Sequence, residues 1–155
     1  MAQDLAQRLR EVIEGKLERL LAIPDEDAGA PGPSGGWSRK QELGHLLDSA
    51  ANNHQRFVRA ALEGEYNGPG YQQRPWVDLH GYAEWHWTDL VTFWQQYNAM
   101  LARLIERIPA ERLGARCVIA AGEPVTLKFV IEDYLAHLLH HLDHIVSQAN
   151  VSANP

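Results

Sequence analysis

The sequence has little of what several common protein classes depend on. Its 155 residues include one cysteine, Cys117, which excludes an internal disulfide framework and a cysteine-based zinc site and fits a reducing compartment. No apolar run approaches the length that spans a bilayer. The N-terminal pattern is polar and amphipathic, unlike that of a signal peptide. We therefore expect a cytoplasmic protein with no membrane association.

Basic residues are also few. The chain has 14 lysines and arginines against 20 aspartates and glutamates, for a formal net charge of -6. The basic residues form no run longer than Arg39 and Lys40, and an aromatic residue lies near arginine only at isolated positions, such as Arg74 and Trp76. This charge distribution argues against nucleic acid as a partner.

Apolar residues recur at intervals of three and four and predict four long helices. We expect these helices over residues 2–22, 38–61, 81–107 and 126–148, with Ser38 and Thr126 as N-caps. Loops are expected over residues 24–36 and 64–75, and a short hairpin over residues 117–127. The predicted fold is all-α, a four-helix bundle whose longer connections allow a non-sequential arrangement. We expect one domain over residues 1–150 and a frayed tail over residues 151–155.

The C-terminal helical segment holds four of the chain's eight histidines within eight residues. His137 and His141 are four residues apart, so they lie one turn apart on one helix face. A helical wheel puts His137, His141 and His144 in a row at the border between the apolar face and solvent, and His140 further toward water. Two imidazoles one turn apart can bind one metal ion, but a third ligand must come from another segment.

The candidate third ligand is His45, in the second predicted helix. It falls opposite the stripe of Leu43 and Leu47, so we expect it outside the core, with Asp48 and Asn52 able to orient its ring. Three neutral imidazoles from two helices, with coordination positions left open, are typical of a catalytic metal site. A solvated, histidine-rich helix face is the alternative interpretation of these residues.

Two better-known metal motifs do not match. A zincin requires H-E-x-x-H, and no glutamate lies between His137 and His141. A di-iron bundle requires two E-x-x-H motifs and two further glutamates, and this spacing occurs only once, at Glu42 and His45. Nothing indicates a Ser-His-Asp triad or a glycine-rich phosphate loop.

Two segments resemble a known family. Residues 37–50 read WSRKQELGHLLDSA, and residues 133–145 read DYLAHLLHHLDHI. The first is similar to the W-S-x-x-E-x-x-x-H-L-x-D-S segment of the DinB/YfiT-like superfamily, and the second to its H-x-x-H-H-x-x-x-I helix. The similarity extends over essentially the whole chain.

This resemblance implies a bundle with a divalent metal ion, nickel or zinc, in its cleft. The ligands of the family carry over onto His45, His137 and His141, and His144 becomes an outer partner of the ligands or a spare residue. The family includes transferases and isomerases that use low-molecular-weight thiols such as bacillithiol or mycothiol. Family members are often dimers, so we expect a homodimer.

The leading hypothesis is a metal-dependent hydrolase or a thiol-dependent transferase that acts on a small molecule. Asp48, Asp133 and His144 are candidates for the general base. The alternative is a non-catalytic helical-bundle stress or scaffold protein without a functional metal. Because His45 is expected off the apolar stripe, its replacement by alanine should abolish metal binding at little cost in stability.

A further set of residues is expected at the substrate entrance, in the loop between the second and third helices. These residues are Tyr71, Arg74 and Trp76.

Overall fold

The segments with periodic apolar residues form four long helices in the computed structural model. The structure describes residues 1–152, and their side chains as far as Ser147. The long helices are α1 (Ala2–Leu21), α3 (Arg39–Glu63), α5 (Trp87–Glu106) and α6 (Leu127–Ser152), and the short helices are α2 (Asp25–Gly29) and α4 (Gln73–His80). Of the predicted tail, residues 153–155 lie outside the described residues.

The four long helices form a bundle in which chain neighbours are not always spatial neighbours. Helix α1 packs mainly against α5 and α6, and α3 packs mainly against the same two helices. The first and second long helices are therefore diagonal to each other. This confirms the all-α four-helix bundle and its non-sequential order, and it sets α3 beside α6.

Local sequence explains where α3 and α6 begin. The Ser38 hydroxyl accepts a hydrogen bond from the Gln41 backbone, while the Gln41 side chain accepts one from the Ser38 backbone. This reciprocal capping box satisfies two amides that the first turn leaves unpaired. Thr126 caps α6 with a single bond, because its hydroxyl accepts a hydrogen bond from the Phe129 amide.

The core lies between the long helices and includes two fully buried tryptophans, Trp87 and Trp94, as their positions on the stripe predict. The Trp87 indole donates a hydrogen bond of 2.7 Å to the carbonyl of Leu20, which joins α5 to the end of α1. Cys117 is also fully buried. No helix in the described part of the chain is long and apolar enough to cross a membrane.

A small sheet closes one side of the bundle. Its strands are β1 (Glu65–Gly68), β2 (Arg116–Ile119) and β3 (Val125–Thr126), with β1 parallel and β3 antiparallel to β2. The β2–β3 pair is the expected hairpin.

Two local predictions are wrong between α3 and α5. The expected loop over residues 64–75 contains β1 and the start of α4, and the third long helix begins at Trp87 instead of Gly81. Gly81 adopts the left-handed conformation, with φ of 63°, and it ends α4. A tight helical turn at Tyr82–Glu84 then leads into α5.

Candidate metal centre

Three histidines from two helices meet where α3 packs against α6. His45 lies in the second turn of α3, and His137 and His141 lie one turn apart in α6. One nitrogen from each of the three rings lies within 4.8 Å of the other two. The structure thus brings the three predicted ligands together.

The distances suit nitrogen ligands that share one ion. Nε2 of His45 is 3.2 Å from Nε2 of His137. Nitrogens bound to zinc at about 2.0–2.1 Å in tetrahedral geometry lie roughly 3.3 Å apart. The ring centroid of His45 is 5.0 Å from that of His137 and 4.9 Å from that of His141, so neither partner is favoured.

His45 is buried, contrary to the sequence-based expectation. Its exposed fraction is 1%, because the polar face of α3 is covered by neighbouring elements, in particular α6. His137 and His141 are half-buried and His140 is exposed, as the wheel predicts for α6, whereas His144, which the wheel placed at the border, is exposed. The site is therefore deeper on the α3 side than on the α6 side.

Burial lowers the pKa values of two of the candidate ligands and so favours their neutral form. Desolvation, together with the proximity of His137 and His141, lowers the pKa of His45 to about 4. Desolvation and the neighbouring His141 also lower the pKa of His137. Both rings are therefore neutral near pH 7 and offer a lone pair without first releasing a proton.

Glu42 contacts the histidine cluster and is absent from the sequence-predicted site. Its buried carboxylate accepts a 2.9 Å hydrogen bond from Nδ1 of His141 and a 2.7 Å bond from Nδ1 of His144. Burial alone would raise the pKa of Glu42, but these two hydrogen bonds outweigh it and hold the pKa below its ordinary value. A carboxylate on Nδ1 fixes the His141 tautomer and leaves Nε2 free for a metal.

A sequence signal for Glu42 was present in its spacing. Glu42 precedes His45 by three residues, so the two lie on the same side of α3. By itself, the E-x-x-H spacing matches only half of a di-iron motif and does not indicate which residues Glu42 contacts. Its actual partners lie on another helix, and the register between α3 and α6 cannot be obtained from spacing.

The expected orienting residues of His45 do not contact it. Nδ1 of His45 is buried and has no hydrogen-bond partner among the described residues. The side chain of Asn52 instead donates to the backbone carbonyl of Asp48. The Trp37 ring lies 5.2 Å from the imidazole, so packing holds His45 where a hydrogen bond was expected.

The three general-base candidates have different surroundings. Asp48 is 1% exposed, and its Oδ1 accepts hydrogen bonds from the Tyr82 hydroxyl at 2.7 Å and from His80 Nδ1 at 3.0 Å. His144 is exposed and bonded to Glu42, and Asp133 is exposed on α6.

One cavity reaches His141 and another reaches His137. The larger, of about 460 Å³, is lined by Trp37, Glu42, Arg74, His141 and other residues. The smaller, of about 200 Å³, reaches His137 and Asp133.

The residues predicted at the substrate entrance do not all line the same cavity. Arg74 lines the larger cavity and Tyr71 the smaller. Trp76 packs its ring against Tyr71 and His80.

Comparisons with known proteins agree with this architecture. A family model described as the DinB superfamily matches residues 6–145. A solved structure, YfiT from Bacillus subtilis, superposes with a TM-score of 0.86 at 21% sequence identity, covering 98% of this chain and 87% of that chain. YfiT is described as a probable metal-dependent hydrolase with an unusual four-helix bundle topology. Comparison with curated proteins gave no match.

Proposed function

The chain belongs to the DinB superfamily, and from that premise we propose that it is a metal-dependent hydrolase with one divalent ion on His45, His137 and His141. The convergence of three imidazole nitrogens within 4.8 Å carries this proposal. The description of YfiT as a probable metal-dependent hydrolase supports hydrolysis over thiol transfer.

The donor set fits a nickel or zinc ion. Imidazole is a ligand that both metals accept, and His45 and His137 have lowered pKa values that keep them neutral. When bound, such an ion supplies Lewis-acid chemistry: it polarises a carbonyl and makes a water molecule or a thiol easier to deprotonate. A low-molecular-weight thiol is therefore the alternative co-reactant at the same site.

The chain's own residues orient the ligands and move protons. Glu42 holds the proton on Nδ1 of His141, which aims Nε2 of that ring away from the carboxylate. Asp48 is buried and already accepts two hydrogen bonds, so we do not assign it the role of general base. Asp133, which lines the smaller cavity, and His144, which is bonded through Nδ1 to Glu42, stay the candidates for the general base.

The proposal further includes a small-molecule substrate, a homodimer and a cytoplasmic location. The cavities of about 460 and 200 Å³ suit a small molecule. Analytical ultracentrifugation of the untagged protein tests the dimer.

Elemental mass spectrometry of untagged protein, purified without chelator, tests the metal site. We expect close to one nickel or zinc ion per chain in the parent and none in the His137→Ala/His141→Ala double variant. His140→Ala is the matched control, because His140 is an exposed neighbour outside the three-nitrogen cluster. It should keep its metal.

The proposal would be contradicted if the parent protein contained no metal and took up neither zinc nor nickel on titration. The non-catalytic scaffold protein would then be the alternative that stands. If metal is bound, ester and amide hydrolysis are assayed with and without an added thiol. A reaction that proceeds only with the thiol would replace hydrolysis by thiol transfer.

A further inference from the structure

The smaller cavity contains a buried arginine that the proposed metal chemistry does not use. The cavity, of about 200 Å³, borders the metal centre at His137. Its polar lining includes Ser49, Asn53, Arg56 and Tyr71. Arg56 is only 8% exposed, although arginine is rarely buried unless it is paired.

In the part of the chain that the structure describes, no carboxylate forms an ion pair with Arg56. Its guanidinium donates to Asn53 Oδ1 and to the carbonyl of Pro69, both at 3.4 Å and both neutral. Within the described residues, no carboxylate oxygen lies within 4.0 Å of it, and this includes Asp133 in the same cavity. A buried cation without a partner is costly, so a position that keeps one indicates an anionic ligand.

The neighbouring polar groups suit an anion. The Tyr71 hydroxyl has a pKa raised by burial, so at neutral pH it keeps its proton and can donate. The Asn53 amide is held by the Ser49 carbonyl at 2.9 Å, which fixes its position beside Arg56. Asp133 is exposed on the rim, where solvent weakens its repulsion of an anion.

We propose that Arg56 binds a carboxylate of the substrate in this cavity, which makes the substrate a small carboxylate-bearing molecule. This inference rests on the proposed function, because it places the rest of the substrate toward His137 and the metal centre. The planar guanidinium can pair with both oxygens of a carboxylate. This pairing would select a negatively charged substrate and also fix its orientation.

The test uses metal-free protein and acetate as the probe, so that acetate cannot bind through a metal ion. The side-chain Nε–H resonance of Arg56 is followed by nuclear magnetic resonance and assigned by its loss in Arg56→Met. We expect a saturable shift of this resonance in the parent. In Arg56→Met, which lacks this resonance, the backbone amide resonances of Asn53 and Tyr71 report acetate binding, and the affinity should fall by about tenfold to a hundredfold, the change expected when charge-assisted hydrogen bonds are removed.

Arg59→Met is the matched control, because Arg59 is an exposed arginine one turn further along α3. It should bind acetate as the parent does. An Arg56 resonance that does not respond to acetate would overturn the proposal from the parent alone, whether or not the variants fold. The same conclusion follows if phosphate shifts this resonance and acetate does not, because the ligand is then not a carboxylate.

Metal content separates this inference from the proposed function. Arg56→Met should keep the parent's metal, since Arg56 is not among the three clustered histidines. Acetate binding at Arg56 in a protein that takes up no metal would refute the hydrolase while leaving the anion site intact. Metal uptake without acetate binding would refute only the anion site.

Discussion

At the scale of single residues, Glu42 couples the two helices of the metal centre. It lies on α3, yet both of its hydrogen bonds go to histidines of α6, at 2.9 Å to His141 and 2.7 Å to His144. A carboxylate in this position orients the ligand ring and increases its basicity. We therefore propose Glu42 as a positioning residue, which would act on a bound metal through His141.

Replacing Glu42 by glutamine should weaken metal binding without abolishing it. We expect zinc affinity to fall by about tenfold to a hundredfold, because the amide keeps the shape of the carboxylate but loses its charge. Competition with a chromophoric chelator measures this change. Glu18→Gln, at an exposed position on α1, is the control and should leave the affinity unaltered. Equal affinity in both variants would show that Glu42 has no role in orienting His141.

The lowered pKa of His45 predicts a pH-dependent stability. In the unfolded chain an ordinary histidine has a pKa near 6.5, whereas the folded value is about 4. Between these values the unfolded state binds the extra proton, so the free energy of unfolding falls as the pH drops from about 6.5 to about 4. Above pH 6.5 the ring is neutral in both states, and the full stability is present.

Urea unfolding of the metal-free protein at pH 7, 5.5 and 4.5 measures this effect. Between pH 7 and 4.5, the parent should lose at most about 3 kcal/mol more than His45→Gln. The comparison removes contributions that both proteins share, such as the lowered pKa of His137 and the raised pKa of buried Asp48. Parallel curves for the two proteins would contradict the assignment to His45.

At the scale of elements, the position of α3 depends on a glycine next to the first ligand. A Cβ at Gly44 would overlap the Tyr82 side chain, with the Tyr82 Cβ only 2.8 Å away. Tyr82 also donates the 2.7 Å hydrogen bond to Asp48. Gly44 therefore allows the turn at residues 82–84 to pack directly on α3.

Gly44→Ala should destabilise the protein although alanine favours helix. Displacing Tyr82 costs about 1–3 kcal/mol, which outweighs a gain in helix propensity of about 1 kcal/mol. Gly15→Ala in α1 is the control, because nothing lies within 4 Å of its added Cβ, and it should stabilise the protein. Thermal unfolding of both variants gives the comparison. A Gly44→Ala protein stabilised as much as Gly15→Ala would rule out close packing of Tyr82.

The long helices were predictable because their signals are local. The apolar periodicity and the caps at Ser38 and Thr126 depend on residues within one or two turns. Helix α4 and strand β1 are not predicted from the sequence. Strand β1 is defined by pairing with the distant residues of β2. A short strand of this kind has little signal of its own.

The candidate site was predictable in its members and not in its surroundings. His137 and His141 are recognisable from their spacing and His45 from its place in a second helical segment, and the family resemblance supports all three. The burial of His45 was not predictable, because a helical wheel assumes one apolar face. Helix α3 contacts α5, α6 and α4, so its polar residues are buried too, including the cation Arg56. The burial of His45 removes the premise that His45→Ala costs little stability, and we now expect removal of the ring to leave a cavity in a buried region and lower the stability.

At the scale of the whole molecule, the packing of α3 against α6 means that a bound metal would stabilise the folded bundle. His45 is separated from His137 by 92 residues, and both belong to helices that meet only in the folded bundle. An ion that requires all three rings therefore binds the folded chain in preference to the unfolded chain. Such a ligand stabilises the fold by mass action.

Zinc should consequently raise the melting temperature of the metal-free protein in a concentration-dependent way. Above the dissociation constant, each tenfold rise in free zinc adds about 1.4 kcal/mol to the free energy of unfolding. The His137→Ala/His141→Ala protein should show no such rise, while His140→Ala should follow the parent. An adventitious histidine-rich face would behave differently: exposed rings on α6 bind zinc in the unfolded chain as well, so the melting temperature would stay constant or fall. Differential scanning calorimetry is performed across a series of buffered free zinc concentrations. It therefore distinguishes a metal site that forms only in the folded protein from zinc binding by a histidine-rich segment that does not require the fold.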